Sequence, residues 1–331
     1  MSHLTIATTW MDAVLHALEQ QGLDRAVLAP ELVSRVDAEA MTTSRLELVL
    51  ARHIWAQAAK LSDDPALGLK VGSRLPVQAS NVLAVLVAHA RTRRAGLDNV
   101  IRYQPLLSDS GRFRRVSIAG GLRVLYDPTW PELPIDPLQI DSVVAALVRG
   151  RARPQRVRLV GRAGKDPRPF AAILRCPVEL GAAQASVDYR DRDLDAVVPG
   201  ADPALHDLAL AHAESLLAAR NRWDEMRQDV RSAIVRLGLA GLSMAKVAAE
   251  LGCTPRTLQR RLEASNTCFR DVLYSYRMEE AGIMLCRTKA PIEYIADLLG
   301  YSEPSAFSRA VQGWWGVSPR ELRARPGALE M

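Results

Sequence analysis

The strongest constraint on this chain is a short pattern that occurs twice. "VAAELGCTPRTLQRRLEA" at 247–264 and "IADLLGYSEPSAFSRAVQGWW" at 295–315 each place an apolar helical stripe before a glycine and a second stripe after it. Ala248, Leu251 and Gly252 recur as Ala296, Leu299 and Gly300 at an offset of 48. Leu258, Arg260 and Leu262 recur as Phe307, Arg309 and Val311 at an offset of 49, so the later copy has one extra residue in its turn. A helix that stops at glycine and restarts within a few residues is a helix-turn-helix.

In the first copy Thr254 is expected to cap the second helix, with Pro255 at its first position. In the later copy Ile295, Leu298 and Leu299 are expected to form the apolar face of the first helix. Ser302 is the expected cap there, followed by Glu303 and Pro304 in the first turn and by the anchors Ala306 and Phe307. Between the copies, "FRDVLYSYRMEEAGIMLC" at 269–286 has helical spacing and no Pro or Gly before Gly282. Roughly 17 residues at ~1.5 Å each give a connector of ~25 Å. With the offsets of the flanking helices added, that length can hold two reading helices about one DNA turn, ~34 Å, apart.

If Leu258 and Leu262 face the core, Arg256, Gln259 and Arg260 face outward, in a ten-residue stretch that contains no acid. Arg is suited to guanine O6 and N7, and Gln to adenine N6 and N7. The later helix offers Ser305, Ser308 and Arg309. The two serines are short and suit phosphate or thymine-edge contacts, so this helix is expected to position more than it reads.

Together, residues 226–324 resemble the DNA-binding domain of the AraC/XylS transcription regulators. The resemblance rests on "TLQRRL", "IADLLGYSEPSAFSRA", "WWGVSP" and "PRELR". It implies two helix-turn-helix units joined by one long helix, DNA contacts at Arg256, Thr257, Gln259, Arg260, Ser305, Ser308 and Arg309, RNA polymerase as a partner, and an activating role. Many members have Phe where this chain has Val311 and a basic residue where it has Gln312, which implies a weaker phosphate grip in the second unit.

From Thr5 to about Arg220 the pattern differs. Stripes at Met11, Val14, Leu15 and Leu18, at Leu46, Leu50, Ile54, Ala58 and Leu61, and through "NVLAVLVAHA" predict three amphipathic helices. "RFRRVSIAG" and "GLRVLYD" alternate across Gly120 and Gly121 and predict a β-hairpin, "DPLQIDSVVAALVRG" a helix, and "QRVRLVG" and "ASVDYRD" further strands. The expected fold is thus mainly α: an α+β domain over 1–220, then an all-α domain over 221–331 with units at about 243–264 and 291–315. The boundary is expected near "AARNRWDE", where one polar helix ends and another begins. The N-terminal part is similar to that of the ornithine-utilisation and VirS-type subgroup, which implies effector sensing, dimerisation or both.

Net charge is +6, yet residues from Asn221 onward hold 16 Lys and Arg against 13 Asp and Glu, so global charge does not locate the DNA site. The longest apolar run, "VLAVLVA", is far short of the ~18 residues a bilayer requires, and a cytoplasmic protein with no membrane partner is expected. The four cysteines form no CxxC pair and have no histidine at ligand spacing; neither a metal nor a cofactor is expected. There is no GxSxG, phosphate loop or HExxH, and no enzyme is expected. Arginines are plentiful, 38 against 5 lysines, so a small organic acid, amino acid or fatty acid is the expected effector, with Arg102, Tyr103 and Gln104 as candidate contacts. A homodimer through the N-terminal domain is also expected. A second reading stays open, a DNA-architectural or protein-interaction factor whose N-terminal domain only dimerises and binds no small molecule.

Overall fold

The computed structural model describes residues 4–30, 45–76, 79, 81–129, 135–149, 152–239, 241–264, 267–315 and 317–324. They form two compact units, one of residues 4–131 and 135–217, the other essentially 218–331.

The first unit is α+β. Strand β1 (Thr5–Ala7) pairs antiparallel with β2 (Arg45–Glu47). Helices α1 (Thr8–Glu19), α2 (Arg25–Leu28), α3 (Leu48–Leu61), α4 (Leu67–Arg74), α5 (Val82–Ala88) and α6 (Arg93–Tyr103) precede the main sheet. Strands β3 (Gly111–Ile118) and β4 (Gly121–Pro128) form the expected hairpin. Its turn is Ala119-Gly120, with Gly120 at φ 68°, and Gly121 already belongs to the strand. Helix α7 (Pro137–Val148), strand β5 (Arg156–Val160), helix α8 (Arg168–Leu174), strands β6 (Val178–Ala182) and β7 (Ser186–Arg190) and helix α9 (Asp191–Leu194) follow. The sheet order is β3-β4-β7-β5-β6, with only β5 and β6 parallel. One face packs Val124, Val157, Leu159 and Val187 against Val144 and Ala145 of α7.

Three local expectations are corrected. Leu46 lies in β2 rather than in a helix, and Leu61 is 51% exposed; the buried face of α3 is Leu48, Ala51, Ile54, Trp55 and Ala58. Helices α4 and α6 and strand β6 lack a clean apolar period and were not expected. Most consequentially, no helix ends near 218–225, because α10 runs unbroken from Pro203 to Leu237, 35 residues. Nothing after Pro203 in that span is a glycine or proline, so no residue interrupts the backbone ladder.

The second unit is all helical. Besides residues 218–237 of α10 it contains α11 (Met244–Glu250), α12 (Pro255–Glu263), α13 (Phe269–Arg287), α14 (Ile292–Leu298), α15 (Pro304–Trp315) and α16 (Pro319–Arg323). Val230, Ala233 and Ile234 of α10 pack with Val247, Ala248, Leu258, Leu262 and Val272, which closes a core around the first repeat. At the second repeat the Trp315 indole N–H donates to the Met278 carbonyl of α13 at 3.3 Å. Gly282 admits the ring there, since a Cβ would lie 2.8 Å from Trp315 Cζ2.

Candidate nucleic-acid interface

Both repeats turn on a left-handed glycine, Gly252 at φ 64° and Gly300 at φ 74°. The following amide closes back over it in each case, Cys253 N–H to the Ala248 carbonyl and Tyr301 N–H to the Ala296 carbonyl, both 2.9 Å. This pairing satisfies carbonyls the helix end would leave orphaned, and glycine reaches positive φ without a Cβ penalty. The two turns differ after that point. Thr254 Oγ1 accepts from Thr257 N–H at 3.2 Å and shares a 2.9 Å hydrogen bond with the Thr257 hydroxyl. In the later repeat the first helical carbonyl is that of Glu303, which accepts from Ala306 (3.0 Å) and Phe307 (3.2 Å). The cap position is therefore Glu303, not Ser302, and Pro304 is the first residue of α15; the extra turn residue moves the start by one. The apolar face of α14 is also adjusted: Ile295, Ala296 and Leu299 are buried and Leu298 is 44% exposed.

With Leu258 and Leu262 of α12 fully buried, the opposite side carries Arg256, Gln259 and Arg260, all exposed. Among the described residues the side chains of Arg256 and Arg260 make no hydrogen bond or ion pair. Thr257 is half-buried and tied to the cap, a positioning role. On α15, Phe307 and Val311 are buried, Ser305 and Arg309 exposed and Ser308 half-buried. A residue not singled out from the sequence is Glu263, whose carboxylate accepts from Gln259 Nε2 at 2.8 Å. The i,i+4 spacing was the available signal. Loss of the cap has a defined consequence: Thr254→Ala is expected to lower stability by about 1 kcal/mol in urea denaturation.

The three candidate effector contacts sit in the first unit, each with partners from the fold itself. Tyr103 is fully buried among Leu83, Leu86, Ala209 and Ala213, and its hydroxyl donates to Glu214 at 2.5 Å. Arg102 is largely exposed and pairs with Glu214 at 2.6 Å. Gln104 is buried, accepts from Phe113 N–H at 2.9 Å and donates to the Ile101 carbonyl at 3.1 Å. Among the described residues no cluster of His, Cys, Asp and Glu could hold a metal, and no helix is long and apolar enough to cross a membrane.

Residues 17–198, more than half of the chain, match the family model described as the arabinose-binding domain of AraC transcription regulator, N-terminal, and residues 247–325 match a helix-turn-helix domain. The chain belongs to the AraC family of transcription regulators. This AraC-family regulator is 29% identical over 288 residues to the regulator VirS of Mycobacterium tuberculosis, covering 83% of each chain. It is 24% identical over 337 residues to the ornithine utilization regulator of Pseudomonas aeruginosa, covering 97% of each. The crystal structure of the regulator CdpR from P. aeruginosa aligns with 96% of this chain and 98% of its own, at 22% identity and a TM-score of 0.47. These relatives are transcription regulators rather than enzymes. As an AraC-family member with two helix-turn-helix units, this regulator binds DNA to control transcription.

Proposed function

We propose that this regulator is an effector-responsive activator that reads two successive major grooves, one with α12 and one with α15. The DNA-binding part comprises residues 221–331, and residues 1–220 sense the effector, dimerise, or do both. Arg256, Gln259 and Arg260 read base edges, while Ser305, Ser308 and Arg309 chiefly fix register on phosphates. RNA polymerase is the protein partner, and the setting is cytoplasmic. The observation that carries this reading is the pair of exposed guanidinium groups on α12 that have no partner among the described residues, opposite the fully buried Leu258 and Leu262. Two long cations without counterions, on a helix held rigidly from behind, suit an anionic, base-bearing groove.

Arg260→Ala is expected to weaken binding of a selected DNA site by about 1–3 kcal/mol and to relax one base position. Binding-site selection with the variant decides it; an unchanged profile removes Arg260 from the readers. Substitutions on α12 are expected to alter sequence preference more than those on α15. Footprinting in which the half-site under α15 proves the more stringent would overturn that order. The effector is a small organic acid, an amino acid or a fatty acid. The ornithine in the name of one relative, the ornithine utilization regulator, is an amino acid, which agrees with that class.

A further inference from the structure

The amide of Gln259 on α12 is held by its own helix, its Nε2 donating to the Glu263 carboxylate at 2.8 Å, one turn on. Helical side chains lean toward the N-terminus, so the residue at i+4 lies back over the one four positions before it. Glu263 is the last residue of α12, and both residues are exposed. Local helix energetics do not account for a carboxylate there. The negative end of the helix dipole opposes an acid in the last turn, where Arg260 and Arg261 have the favourable sign. An ion pair with Arg260, three positions earlier, does not account for it either: among the described residues that side chain makes none, and Glu263 instead accepts from a neutral amide. A carboxylate on a side that meets phosphates also costs general affinity. At the offset of 49 that relates the repeats, Gln259 and Glu263 correspond to Ser308 and Gln312, so the second unit has no amide–carboxylate pair at these positions.

An ionised carboxylate only accepts, so the nitrogen of the Gln259 amide, not its oxygen, must face Glu263; the reversed amide would set Oε1 against a second acceptor. Nε2 carries two hydrogens, and the one anti to the carbonyl oxygen is directed back along the side chain. With one hydrogen committed to Glu263, the amide keeps an N–H beside its carbonyl, the donor and acceptor that adenine N7 and N6 take. We propose that Glu263 is a positioning residue for base recognition: it holds the Gln259 amide in the orientation that presents an adenine-reading edge, and so sets the specificity of α12 without touching a base. Fixing the amide before DNA arrives removes the cost of ordering a long side chain on binding. The inference rests on the reading that Gln259 contacts base edges and deepens it by naming the residue that enforces the choice of base.

Binding-site selection from a random double-stranded pool, with the full chain as parent, Gln259→Ala, Glu263→Ala and Glu263→Gln, tests it. Gln259→Ala is expected to abolish an adenine preference at one position. Glu263→Ala is expected to reduce that same preference about threefold to tenfold, the scale of releasing one immobilised side chain, and to leave the other positions unchanged. Its affinity for random-sequence DNA, read by fluorescence anisotropy, is expected to rise because a negative charge is removed from the side that meets phosphates. Specificity and general affinity thus move in opposite directions, which a loss of helix stability would not produce. Glu263→Gln keeps an acceptor without the charge. It is expected to share the gain in general affinity and to retain more of the adenine preference than Glu263→Ala. An unchanged profile in Glu263→Ala, a loss spread over every position, or equal loss in the two Glu263 variants overturns the positioning role. A cytosine preference lost at another position would make Glu263 a reader in its own right and overturn it as well. If Gln259→Ala changes the profile and Glu263→Ala does not, base reading by Gln259 stands and only the role of Glu263 falls. If Gln259→Ala changes nothing, the reading of bases by Gln259 falls with it.

Discussion

Glu279→Ala is expected to destabilise the DNA-binding unit by about 3–5 kcal/mol and so to abolish DNA binding near body temperature. Arg231 on α10 and Glu279 in the middle of α13 form an ion pair at 2.5 Å, with side chains only 4% and 3% exposed. The Arg231 guanidinium also lies over the Tyr276 ring, 5.3 Å from its centroid. Its Nε and Nη1 take no hydrogen bond among the described residues, so Glu279 is the acceptor that compensates the buried charge. Removing the carboxylate leaves a cation in a low-dielectric core, and the cost is that of the orphaned charge rather than of the lost contact. Replacing both partners, Arg231→Met with Glu279→Leu, is expected to stay within about 1 kcal/mol of the parent because no charge is then stranded. Urea denaturation of the three proteins separates these cases. A single variant as stable as the parent would show that the pair is not the tie between α10 and α13.

Gly72→Ala is expected to lower the stability of the first unit by about 3 kcal/mol, at the upper end of what one added methyl costs in a tight core. Helices α4 and α7 approach so closely that a Cβ at Gly72 would collide with the Ser142 carbonyl oxygen and lie 2.8 Å from the Ala145 Cβ. Gly68, one turn earlier, meets the Leu138 carbonyl in the same way. The obstructing atoms are backbone or an alanine Cβ, none of which can rotate aside, so the helices must separate and α7 must shift from the sheet it covers. Gly96→Ala in α6 is the matched control. Its added Cβ finds Ala90 Cβ and the Val87 carbonyl oxygen at an ordinary 3.5 Å, and a helical glycine replaced without strain is expected to stabilise by about 0.4–1 kcal/mol. Equal behaviour of the two variants in thermal melts would refute the close-packing account.

The helix-turn-helix repeats were legible because their determinants are local. Gly252 and Gly300 need positive φ, Thr254 and Pro255 mark a helix start, and Leu258 with Leu262 recurs at helical spacing, all within a few residues of one another. The departures there are small: the cap is Glu303 rather than Ser302, one step along a turn with an extra residue, and Leu298 lies off the buried face of α14. The hairpin around Gly120 was readable for the same reason. Long-range features were not. "LGLKVGSR" has no stripe that announces a helix, and its two glycines acquire meaning only when α7 lies against them. Arg231 and Glu279 are 48 residues apart and look like ordinary surface charges in the sequence. Arg102, Tyr103 and Gln104 stand out in the sequence as adjacent polar groups, yet packing supplies each with a partner. Local backbone chemistry, which the sequence states directly, thus determined the two helix-turn-helix elements. Which charges lost their solvent and which glycines met a neighbour was decided by tertiary structure, because burial belongs to a pair of segments and neither segment encodes it alone.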